Sequence, residues 1–203
     1  MTSRLGIAVL ALLLVAAASR ASASLVNIDW KTKGDKLLTF DSATGLSWLN
    51  VGLTVDQSYA AVEGQLGTGG TFAGFRHATV SEVDTLGADA GITERTGQFD
   101  TTNVTTITNL ISLVGTTLNI PADADEESSG FASDTSGGQH RSPFFEASSG
   151  KAEASIFSAA PSPDPQQFVG HWLVSSNFVP EPGALAFTVL APLALRRRRR
   201  LVV

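Results

Sequence analysis

The chain has no cysteine in its 203 residues, so no disulfide can staple the fold and zinc sites of the cysteine-rich kind are excluded. The fold must rest on its core. Histidine is scarce: His77, His140 and His171 are far apart in sequence, with no H-E-x-x-H motif and no i, i+4 pair, so separate surface or core roles are expected, with convergence on a metal as the alternative. Also missing are a G-x-S-x-G elbow, a G-x-x-x-x-G-K-S/T loop and a G-x-G-x-x-G turn, which removes the usual signatures of serine hydrolases, P-loops and dinucleotide sites. A Cys-His nucleophile is impossible. No residue earns a catalytic assignment, and no internal repeat of clear period is present.

Cations are few in the middle of the chain. The whole sequence carries −5, but residues 24 to 178 hold 7 Lys or Arg against 18 Asp or Glu, a net −11 that a terminal arginine block hides. Such a surface repels phosphate backbones and argues against a nucleic-acid partner. It suits solubility outside a cell and the binding of divalent cations.

No apolar run comfortably spans a bilayer. The one near the C-terminus, Gly183 to Leu195, has 13 residues, roughly 20 Å as a helix against the ~30 Å of a hydrocarbon core. Phe178 and Val179 extend it, arginine stems can snorkel, and Pro192 kinks it. Its flanks are distinctive. Before it stands Val179-Pro180-Glu181-Pro182, whose prolines keep the backbone extended and out of any helix. After it come Arg196, Arg197, Arg198, Arg199 and Arg200, a cytoplasmic stop under the positive-inside rule.

The N-terminus reads as a secretory signal over residues 1–23: Arg4 for charge, an apolar stretch from Leu5 to Ala18, and Ala21-Ser22-Ala23 as the site for signal peptidase. An uncleaved N-terminal membrane helix is the alternative. Residues 24–177 then make one α+β domain with its own core, and residues 178–203 form the tail.

Within that domain, Val26, Ile28 and Trp30 alternate with polar residues, turn at Gly34-Asp35 and resume at Leu37 to Phe40, which predicts a hairpin. After Asp41 to Gly45 turns the chain, Leu46 to Leu49 forms a third strand that places Trp48 in the core. Val55, Tyr59, Val62 and Leu66 predict a helix from Thr54 to Leu66, capped by Thr54 with Gln57 and stopped by Gly67. Thr79 to Glu82 is a capping box, so a second helix follows that buries Val83, Leu86 and Ala90 and ends at Gly91. Glu82 is read as a cap, not a catalytic acid. Residues 102–114 favour a third helix, with a strand as the alternative.

Pro121 to Pro143 reads as a polar loop. Its Asp123, Asp125, Glu126 and Glu127 suggest calcium, although Glu127 and Ser128 depart from the D-x-D/N-x-D/N-G pattern and a solvated loop competes. Ala152 to Phe157 and Phe168 to Val174 predict closing strands around a proline-rich loop.

Two resemblances follow from these residues. The tail, with Pro180-Glu181-Pro182, the apolar segment and the arginine cluster in order, resembles the PEP-CTERM sorting signal of Gram-negative bacteria. This implies an exported protein that an exosortase, a membrane-embedded transpeptidase, cuts near the motif. Its destination would be the cell surface or extracellular matrix of biofilm-forming, exopolysaccharide-producing cells. A plain uncut tail anchor is the alternative. Asp41, Thr44-Gly45-Leu46, Trp48-Leu49, the Tyr59 helix, Gly74-Phe75-Arg76, Ala78-Thr79, Glu82 and Leu86, with Trp172 to Val174 as closing strand, resemble an extracellular domain common in PEP-CTERM proteins. That domain is similar in turn to the C-terminal domain of bacterial collagen-like adhesins. The resemblance implies a lectin-like layout, polysaccharide or matrix binding, and no enzyme activity; an extracellular polysaccharide hydrolase or lyase is the alternative.

Overall fold

The computed structural model describes residues 23–93, 97–159 and 167–178. The signal segment through Ser22, with Ala21, and the tail from Val179 onward lie outside them. The first hairpin forms as its alternation predicts: β1 (Leu25–Ile28) pairs antiparallel with β2 (Leu38–Asp41), and β2 with β3 (Leu46–Leu49). Its long loop is closed by Asp35, whose carboxylate accepts from the backbone N–H groups of Trp30 at 2.8 Å, Lys31 at 2.9 Å, Thr32 at 2.8 Å and Leu37 at 3.3 Å.

The next stretch departs from expectation. In place of one helix from Thr54 to Leu66, a 3₁₀ turn (Val51–Thr54) is followed by the short α1 (Tyr59–Glu63). Asp56 stands at φ 61°, which no helix accepts, and Ser58 rather than Thr54 caps α1 through Ala61 N–H at 3.3 Å. The Thr54 hydroxyl is engaged elsewhere, and Gly64, not Gly67, closes the helix.

A short strand, β4 (Arg76–His77), leads into α2 (Val80–Asp89), where the predicted capping box is complete: Glu82 N–H donates to Thr79 Oγ1 and Thr79 N–H to Glu82 Oε2. Such a cap stabilises by about 1 kcal/mol. Val83 and Leu86 are buried, Ala90 packs beside them, and Gly91 at φ 96° turns the chain away. The third helix forms as α3 (Val104–Val114), burying Ile107, Leu110, Ile111 and Val114.

Pro121 to Pro143 is no loop. After a turn it holds β6 (Asp125–Phe131), which pairs with β5 (Leu118–Ile120) just before it, then β7 (Thr135–Ser136) and the first half of β8 (Gln139–Ser148), which pairs with β9 (Lys151–Ala159) along its length. Acidic side chains disfavour strands on average, but here alternation sends them to two faces of a sheet that is buried on one side.

The predicted last strand divides in two. β10 (Gly170–His171) runs parallel to β6, whereas β11 (Leu173–Ser175) sits between β3 and β4. Trp172 is the joint: its N–H donates to Phe131 C=O in one sheet at 3.1 Å and its C=O accepts from Ala78 N–H beside the other at 2.7 Å. The result is a five-stranded sheet in the order β1-β2-β3-β11-β4 and a six-stranded, mostly antiparallel one.

The main core fills the space between these sheets and the helices. Trp48 and Phe145 both meet Trp172 edge to face, at 6.1 and 5.9 Å, and Trp172 Nε1 donates to Pro143 C=O at 2.8 Å. A second cluster covers the other face of the five-stranded sheet, where Leu38, Leu49 and Leu173 pack with Val62, Phe72 and Phe75, joined at its margin by Trp30 and Phe178. Among the described residues no helix is long and apolar enough to cross a membrane.

The crossing of β10 over the 3₁₀ turn requires glycine: a Cβ on Gly170 would lie 2.3 Å from Val51 C=O, and one on Gly130 would lie 3.0 Å from Trp172 N. Gly170→Ala is therefore expected to cost about 2–4 kcal/mol, read as a lowered midpoint in urea. Gly137→Ala, whose Cβ meets nothing, should cost under about 2 kcal/mol from its positive φ alone.

Candidate functional site

The three histidines do not keep separate roles. Beside the joint they converge on Tyr59, the chain's only tyrosine. His171 arrives on β10, His77 on β4, His140 at the start of β8 and Tyr59 at the start of α1. The Tyr59 ring is sandwiched between His140, 3.6 Å away by centroids, and His77, 4.1 Å away, each within 13° of parallel.

A directed relay fixes the tautomers. Gln57 C=O only accepts, so His171 Nε2, 3.0 Å away, must carry the proton. His171 Nδ1 then accepts from His77 Nε2 at 3.0 Å. The backbone is tied in as well: His171 N–H donates to Thr54 Oγ1 at 2.8 Å, and that hydroxyl donates to Val51 C=O at 3.0 Å. Burial, with His171 and His140 nearby, pushes His77 down to about 3, and burial pushes His171 down to about 4. Both rings are neutral at physiological pH. With both nitrogens of His171 engaged, the cluster reads as a fold-locking element. Among the described residues no group of three or more metal-ligating side chains is placed to hold an ion.

The second candidate lies on the outer face of the six-stranded sheet. Register places Glu127 opposite Glu146, and Glu146 opposite Glu153, so three glutamates stand side by side across β6, β8 and β9. Like charges directly opposite repel. Burial, reinforced by Glu127, Asp125 and Glu153, pushes the Glu146 carboxyl up to about 7, and burial also raises that of Glu127. Beside them runs a groove of about 330 Å³ lined by Leu118, Glu127, Phe144, Glu146, Gln167 and Phe168. Phe168 holds φ 62° and is 44% exposed; a left-handed non-glycine residue costs about 1–2 kcal/mol. The arrangement offers aromatic faces, one carboxyl able to donate a hydrogen bond, and a neighbour able to accept one.

The four acidic residues read as a calcium stretch do not converge. Glu126 lines a different pocket, with Val104, Thr108 and Lys151, while Glu127 faces the groove. Glu82 is a cap and an ion-pair partner, with Arg76 at 2.6 and 2.8 Å. The residues read as signal and sorting elements, Ala23 apart, lie outside the described residues. Sequence reasoning missed both clusters because the partners are brought together by sheet register and by the joint at Trp172.

The two sites titrate in opposite senses. Histidines with lowered folded values stabilise fully above the unfolded value of about 6.5, and that stability is lost as pH falls towards 4. A carboxyl raised to about 7 destabilises as pH rises through that value and is relieved by acid. Thermal melts should therefore show Glu146→Gln raising Tm at pH 8 and leaving it nearly unchanged at pH 4.5, while wild type loses about 5 °C or more between pH 6.5 and pH 4. His77→Gln should flatten that acid limb.

No family model matches the chain, and comparison with curated proteins and with solved structures returns no match.

Proposed function

We propose that the chain is an exported, non-catalytic surface or matrix protein, held briefly in the inner membrane by its tail and then released or transferred to the cell surface by an exosortase. The observation that carries this reading is order along the chain. Phe178 is packed against the second cluster, stacked on Phe75 at 5.2 Å, with its carbonyl accepting from Ser47 Oγ. Val179-Pro180-Glu181-Pro182 follows at once, then the apolar run and Arg196 to Arg200. A processing enzyme would meet its motif directly beyond a finished domain.

The domain's own task, in this reading, is to bind polysaccharide in a lectin-like manner. Phe144 and Phe168 supply faces for sugar C–H groups, and Glu127, Glu146 and Gln167 supply hydrogen bonds for hydroxyls. The acidic lining favours a neutral polymer over an anionic one. The cation version of the reading, calcium on Asp123, Asp125, Glu126 and Glu127, draws no support from the geometry, because Glu126 and Glu127 face different pockets; a melt unchanged by calcium and by chelator removes it.

One observation favours a second reading, a polysaccharide hydrolase or lyase. Glu127 and Glu146 are adjacent, and Glu146 retains a proton near neutrality, as a general acid and its partner require. Binding on a glycan array without turnover, weakened about tenfold in Phe168→Ala, favours the binder. Release of reducing ends, abolished in Glu146→Gln, favours the enzyme.

Sorting has a separate test. Replacing Glu181 and Pro182 by alanine should leave uncut precursor in the membrane fraction, and normal release of that variant counts against the exosortase.

A further inference from the structure

Only residues 179–182 separate Phe178 from the apolar run that begins at Gly183. Fully extended, four residues reach at most about 14 Å, and one leaflet's headgroup layer takes up roughly 5–8 Å of that. A domain tethered so closely has little choice of orientation. The face from which Phe178 departs is brought within about one Debye length, 8–10 Å, of the lipid surface.

That face differs from the rest of the domain. Phe178 stacks on Phe75, Phe75 meets Trp30 edge to face at 5.7 Å, and the Lys31 ammonium sits 3.8 Å above the Trp30 ring. Lys33 and Lys36 follow on the same loop and are exposed. Three of the seven cationic residues between positions 24 and 178 thus fall within six positions, beside the exit point. The loop's two carboxylates are occupied inside it: Asp35 by four backbone N–H groups, Asp29 by Lys36 at 3.5 Å. Lys31 and Lys33 are left facing solvent.

We propose that this end face, Trp30, Lys31 and Lys33 beside Phe178, is a lipid-facing surface that seats on anionic phospholipid headgroups while the tail occupies the bilayer. The inference rests on the membrane reading of the tail. Tryptophan is enriched at membrane interfaces, lysine serves there as an anchor, and lysines close to a bilayer are drawn to anionic headgroups. The net −11 of residues 24–178 repels the same headgroups, so the lysine-bearing face is selected over the others.

The absence of native cysteine permits a clean test. The full chain, carrying a spin label at Thr32→Cys or at Lys151→Cys on β9, is reconstituted into vesicles of phosphatidylglycerol and phosphatidylcholine, about 3:7, doped with a nickel-chelating lipid. Relaxation by headgroup nickel should be at least about threefold stronger at position 32 than at position 151, and the gap should close when Lys31→Glu and Lys33→Glu are added. Equal relaxation at both positions, in a chain that floats with the vesicles, overturns the lipid-facing surface and leaves the tail reading standing. A chain that does not float with vesicles overturns both.

Discussion

Everything in the fold depends on one residue being shared by two sheets. Trp172 gives its backbone N–H to one and its carbonyl to the neighbourhood of the other, and its indole fills the space between. The switch is possible because glycine precedes it at position 170 and faces it at position 130, letting β10 press against the 3₁₀ turn at backbone distance. A sheet pair joined this way has no freedom to slide. Register on one side fixes register on the other, which is why His171, His77 and His140 meet although they come from strands that are distant in sequence.

The two polar clusters follow from that rigidity in different ways. The histidine relay is buried, but each ring nitrogen of His171 has a partner, so the interior tolerates that ring at the expense of proton affinity. The glutamate row stands further along the same face of β8, six residues from His140, without comparable neutralisation, and one member answers by keeping its proton. A structure selected only for stability would have avoided such a row, and its position beside exposed, left-handed Phe168 makes that edge of the sheet the natural place to look for a ligand.

Local signals in the sequence were good guides wherever local physics decided the outcome. The hairpin of Val26 and Phe40, the Thr79–Glu82 box and the helix through Ile107 and Ile111 are all in place. Trp48 is in the core as its strand required. The failures share a cause. Val55, Tyr59, Val62 and Leu66 have helical spacing, yet Asp56 is drawn into a left-handed turn because Thr54 must reach His171 and Val51. Asp125 to Glu127 look like solvated loop because charge conceals alternation, and only pairing with β8 makes them strand. The last strand seemed continuous because nothing local marks a residue that belongs to two sheets. Of the candidate site, the aromatic and acidic residues were visible individually; their adjacency is a property of long-range register.

The place where the chain leaves the domain has a mechanical meaning. Phe178 follows β11, which lies inside its sheet with β3 on one side and β4 on the other. A pull arriving through the C-terminal connection would load that inner strand lengthwise, so the bonds to both neighbours share the tension instead of parting one after another as at an edge. A chain hauled by its trailing end would thus resist drag in its stiffest direction.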